Sequence, residues 1–178
     1  MKSPIVAANW KMNLTIEEGL ELVKQVLDGS SSDGSEIIFF PPSIALSAIS
    51  GELKNTEYKV GIQNIHHEKS GAYTGEISAE MVKFLDVQYA IIGHSERRQY
   101  FFETDTQING KIKSALNADL YPVVCVGESL DERESGKTNE ILKKQLMSAF
   151  NDIDNTPDRL VVAYEPVWAI GTGMSADS

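Results

Sequence analysis

Six short, unbroken apolar runs set the main constraint on this chain: Ile5–Ala8, Ile37–Phe40, Val60–Ile62, Ala90–Ile92, Val123–Val126 and Leu160–Ala163. A strand with one face in water alternates apolar and polar residues. These runs do not alternate, so they read as strands buried on both faces, in a parallel sheet covered by helices. Helical patterns lie between them. Ile16, Leu20, Val23 and Leu27 recur at helical spacing, and Thr15 with Glu18 has the form of a capping box. Thr104 and Gln107 repeat that device ahead of Ile108, Ile112, Ala115 and Leu116, and Leu142, Leu146, Ala149 and Phe150 make a further stripe. Strand–helix alternation of this kind predicts an α/β fold with right-handed crossovers, six strands and five helices.

Strand order is not readable from the chain, so an open doubly wound sheet and part of a closed barrel both fit the alternation. No Gly-x-Gly-x-x-Gly follows the first run, which weakens the dinucleotide-binding form of the open sheet. Lys11, His94 and Glu165 each come just past the C-terminal end of a predicted strand, where barrel enzymes keep their sites. That placement favours the barrel. Residues 1–178 read as one domain, and Gly29–Ser35 is a flexible loop rather than a linker.

The formal net charge of −10, with no basic run, argues against a nucleic-acid partner and against an anionic membrane surface. No stretch approaches the roughly 20 apolar residues of a membrane span. The first residues lack the features of a secretory signal, so a cytoplasmic setting is expected. Cys125 is the single cysteine and reads as a buried strand thiol. His66 and His67 show no ligand-like spacing, so no metal site is expected.

Three segments carry the candidate chemistry. In Ala163–Gly173, Glu165 stands where an apolar strand opens and Pro166 biases it toward extended backbone. A carboxylate in an apolar mouth suits proton abstraction. His94, in Ile92-Gly93-His94-Ser95-Glu96-Arg97-Arg98, precedes a helix start whose backbone N–H groups would face the ring, an environment that suits a neutral, hydrogen-bond-donating imidazole. Asn9 and Lys11, in Ala8-Asn9-Trp10-Lys11-Met12-Asn13, leave the first strand together. Glu96 reads either as the buried partner of a nearby cation or as a first-turn acid.

In this order and with this strand context, the three segments resemble the triosephosphate isomerase family, from Ile5 to Gly173. The resemblance implies a (β/α)₈ TIM barrel, of which this chain carries about six strands. It implies interconversion of dihydroxyacetone phosphate and D-glyceraldehyde 3-phosphate in glycolysis and gluconeogenesis, through an enediolate and with no cofactor. It makes Glu165 the base, His94 the electrophile, Lys11 the cation at phosphate and enediolate, and Asn9 a substrate hydrogen-bonding group. Ala169-Ile170-Gly171-Thr172-Gly173 resembles the family's closing lid, with Gly171 offering its N–H to the phosphate and Met174-Ser175-Ala176 in place of the commoner Lys-Thr-Ala hinge. Gln63-Asn64 and Gly71–Glu76 resemble the loop that inserts into a neighbouring subunit, with Thr74 at its tip, which implies a homodimer.

A complete barrel of this type takes about 250 residues. The resemblance therefore implies that strands seven and eight, with the loops that grip the phosphate, are absent from these 178 residues. Strands one and six would then be open edges that expose apolar surface. Two alternatives follow. One is an inactive, truncated chain that folds poorly or only binds full-length subunits through Gly71–Glu76. The other is a different phosphate-handling barrel enzyme with the same base and lid.

Overall fold

The computed structural model describes residues 3–29, 34–154 and 158–170. Each apolar run forms a strand: β1 (Ile5–Asn9), β2 (Glu36–Phe40), β3 (Lys59–Ile62), β4 (Tyr89–Ile92), β5 (Tyr121–Val126) and β6 (Val161–Tyr164). All five pairings are parallel, and the strands lie side by side in the order in which they are made. A doubly wound sheet reverses its strand order at a switch point. Here the order never reverses, which selects the barrel-type alternative.

Side chains on the two faces of the sheet form separate apolar cores. Ile38, Phe40, Tyr89, Ile91, Val123 and Cys125 fill the concave face and pack with Val161 and Ala163. Phe39, Val60, Ile62, Ala90, Ile92 and Val124 point the other way, into the helical layer. The odd–even split follows from the two-residue period of a strand. Burial on both faces holds for β2 to β5. At the ends of the sheet Val6 remains 53% exposed and Val162 44%, because each edge strand has a neighbour on one side only.

The helices number seven among the described residues, two more than the alternation predicts: α1 (Ile16–Gly29), α2 (Leu46–Leu53), α3 (Ala79–Lys83), α4 (Ser95–Tyr100), α5 (Asp105–Asn117), α6 (Leu130–Glu134) and α7 (Thr138–Ala149). The extra two arise because the crossovers after β4 and β5 are each split. Phe102 (φ +53°) and Gly136 (φ +69°) take left-handed backbone at the breaks. The Thr104/Gln107 capping box then restarts the chain as α5. At α1, Thr15 and Glu18 exchange the expected reciprocal bonds, at 2.8 and 3.3 Å. No helix among the described residues is long and apolar enough to cross a membrane.

Candidate active site

The candidate residues meet at the C-terminal ends of the strands, where parallel strands open into loops. After β4, Gly93 (φ +74°) turns the chain sharply, and a side chain there would press on Ile108. The turn makes His94 the N-cap of α4. Its Nδ1 accepts the Glu96 backbone N–H at 3.2 Å. A neutral ring that accepts at Nδ1 carries its proton on Nε2. His94 is buried apart from a sliver of the ring, and Arg98 braces the turn by donating to the Gly93 carbonyl at 3.0 Å and pairing with Asp105 at 2.6 Å.

Glu165 leaves β6 with its Oε1 3.4 Å from His94 Nε2, and its Oε2 accepts the Ser95 N–H at 3.4 Å. Ser95 is therefore a site residue that the motif reading does not single out. Cys125 is buried, as the strand reading expects, and burial first and the Glu165 charge second push its thiol well above its ordinary range.

On the other side of His94 lies a cavity of about 380 Å³ whose lining includes Asn9, Lys11, Gln63, His94 and Glu96. Lys11 is held there in left-handed backbone (φ +53°). Its N–H donates to Asn9 Oδ1 at 3.0 Å, while Gln63 Nε2 donates both to the Lys11 carbonyl at 2.9 Å and to the Phe40 carbonyl at 2.8 Å. The ammonium sits 2.7 Å from Glu96 Oε1. Glu96 is thus both a first-turn acid and a cation's partner, but it is 38% exposed rather than buried. Glu165 lines a neighbouring cavity of about 400 Å³ instead, on the Ser95 side.

The segment after β6 adds a cluster not singled out from sequence. Glu128, fully buried, accepts from Tyr164 Oη and Trp168 Nε1, each at 3.0 Å. The Arg133 guanidinium lies 3.7 Å from the same oxygen and stacks 4.3 Å over the Trp168 ring. Burial works to raise the Glu128 proton affinity, but these donors and the cation outweigh it and hold the carboxyl below its usual value. The signal was available: Glu128 follows its strand by two residues, much as Glu165 follows its own.

Thr74 is exposed within the described loop Gly71–Glu76, and the Tyr73 ring lies tilted against His66 with centroids 4.2 Å apart. Gly171 and Met174-Ser175-Ala176 lie outside the described residues. Among the described residues, no three His, Cys, Asp or Glu side chains gather as metal ligands would.

A consecutive parallel βα sheet with a histidine–carboxylate pair at the C-terminal strand ends defines an α/β protein of the barrel class, which keeps its sites at that end. Residues 4–178 match the family model for triosephosphate isomerase. A triosephosphate isomerase of Alkaliphilus oremlandii (strain OhILAs) is 50% identical over 179 residues, covering 100% of this chain and 72% of the relative. One of Alkaliphilus metalliredigens (strain QYMF) is 48% identical over 180 residues, with the same coverage. One of Clostridium botulinum (strain ATCC 19397 / Type A) is 47% identical over 177 residues, covering 99% and 71%. The chain belongs to the triosephosphate isomerase family.

Proposed function

We propose that the site interconverts dihydroxyacetone phosphate and D-glyceraldehyde 3-phosphate, as a step of glycolysis and gluconeogenesis in the cytoplasm. The observation that carries this reading is the pair formed by His94 Nε2 and Glu165 Oε1 at 3.4 Å, with Nδ1 of the same ring capped by the Glu96 N–H. Glu165, as base, takes the proton from C1 of the ketose and returns it to C2. His94, neutral and protonated on Nε2, donates to the carbonyl oxygen as negative charge develops there. Lys11 supplies a fixed cation in the same cavity, and Asn9 shapes it through the Lys11 N–H. A cation prearranged in a partly closed site stabilises enediolate and phosphate charge more than it would in water.

The Glu165 carboxylate rests against Ser95, across His94 from the Lys11 cavity. Catalysis therefore needs it to rotate toward bound substrate, exchanging the Ser95 contact for the C1 proton. By its resemblance to the family's lid segment, Gly171 would supply a backbone donor to the phosphate. A homodimer fits the rim of the Lys11 cavity, where the exposed Met12 and Phe101 flank the Gly75 loop. Apolar rims of this kind are where a partner's Thr74 loop would seat.

The test is a coupled isomerase assay on the purified chain, with Glu165→Gln prepared identically to account for host enzyme. Turnover well above that control is the expected result. Turnover equal to the control, with the variant and the unaltered chain indistinguishable, would overturn the reading. It would favour instead a chain that binds intact subunits without turnover, an alternative supported by the exposed faces of β1 and β6.

A further inference from the structure

Glu165 takes its backbone position from the end of β5. Its N–H donates to the Val126 carbonyl at 2.8 Å, and Val167 N–H donates to the Glu128 carbonyl at 3.2 Å. Gly127 stands between those two acceptors, directly opposite Glu165. A Cβ on Gly127 would overlap the Glu165 carbonyl oxygen, so the two backbones are in direct contact.

In a parallel strand, alternate residues bond to opposite neighbours. Residues 126 and 128 face β6, so the N–H and C=O of Gly127 face the β4 side. But β4 ends at Ile92 and the chain turns away at Gly93, leaving no strand to receive them. Gln145 of α7 takes the place of that strand. Its Oε1 accepts the Gly127 N–H at 2.9 Å, and its Nε2 donates to the Gly127 carbonyl at 2.9 Å. A side-chain amide thus extends the ladder by one residue at the position that backs Glu165.

We propose that Gln145 is a positioning residue for Glu165, clamping the Gly127 peptide so that the carboxylate is presented at the height the reaction needs. The proposal rests on the reading of Glu165 as the base. Proton abstraction tolerates little misplacement, and a shift of about 1 Å can cost about 10²-fold in rate. Gln145 touches neither His94 nor Lys11 through any bond described above, so its influence is transmitted by Gly127.

Two variants test this. Gln145→Met keeps the side chain's length and removes both hydrogen bonds, while Gln145→Glu keeps the acceptor and sets a carboxylate against the Gly127 carbonyl. The first readout needs no turnover: the amide resonance of Ser95, whose N–H meets Glu165 Oε2. It is expected to shift in both variants, and an unmoved resonance overturns the proposal. The second readout is kinetic, per folded molecule, with folded fraction taken from melting curves. We expect kcat to fall about 10- to 100-fold with KM within about twofold. The primary isotope effect with C1-deuterated ketose should rise as proton abstraction becomes the slowest step. A lowered melting temperature with unchanged kcat and isotope effect would make Gln145 merely structural, as would failure of both variants to fold. Glu165→Gln separates the two readings. If it abolishes turnover while the Gln145 variants stay at full rate, only the positioning role fails. If it leaves turnover intact, the base assignment itself fails.

Discussion

His94 and Glu165 approach within 3.4 Å, yet the chain holds them by different means. His94 belongs to an inner corner, behind a strand buried along its whole length, and its ring doubles as the cap of α4. Glu165 belongs to the outer corner. It hangs from β6, whose residues alternate between half-buried and exposed, and its backbone is held by hydrogen bonds to the end of β5. The imidazole is therefore built into the core, with its Nδ1 already engaged. Glu165 is placed at the end of an edge strand none of whose residues is fully buried.

That contrast can be broken or sharpened by mutation. The largest effect is expected at the outer corner. Glu165→Gln should lower turnover by about 10³- to 10⁴-fold while barely moving the thermal midpoint. A comparable loss of stability would show that Glu165 is structural. Next comes the core itself: Ile92→Ala empties a fully buried site and should cost about 2–5 kcal/mol in denaturant unfolding. Val162→Ala, at the exposed edge, should cost under about 1 kcal/mol. Equal costs would erase the distinction between inner and outer strands.

A smaller effect separates the two duties of His94. Asparagine is a good N-cap, so His94→Asn should lose about 10²-fold or more in kcat with stability preserved. His94→Ala should lose the same activity and, in addition, about 1 kcal/mol of stability. The smallest effect concerns Glu128. Its carboxyl is held below the ordinary value of 4.5, so its contribution to stability is complete above that pH and is lost as pH falls through the lower folded value. Melting temperature should therefore drop more steeply on acidification in the unaltered chain than in Glu128→Gln. Parallel curves would mean that the Tyr164 and Trp168 bonds do not depend on the charge.

The features legible in the sequence are those with a local signature. Continuous apolar runs marked all six strands within two residues, and the Ser/Thr-x-x-Glu/Gln spacing marked the starts of α1 and α5. The positions of Lys11, His94 and Glu165 just past strand ends were legible for the same reason. What escaped depends on partners far apart in the chain. Lys11 and Glu96 are 85 residues apart, Ser95 and Glu165 are 70, and Gly127 and Gln145 are 18. No periodicity records such pairs. Nor could the sequence show that Glu165 rests on the Ser95 side of His94, which is decided by the neighbouring strands rather than by its own. The split after β4 has no local signature, because its break at Phe102 needs only one residue in left-handed backbone and phenylalanine carries no signal for it, whereas the split after β5 is marked by Gly136.

The unbroken order of the strands also bears on how the molecule assembles. Every strand pairs with the one made just before it, so each βα unit can dock on a finished neighbour as the chain emerges, and loop closures stay short. The growing edge is always the newest strand. On that schedule the imidazole of His94 is seated while β6 is still unmade, and Glu165 arrives after Asn9, Lys11 and His94 are in place.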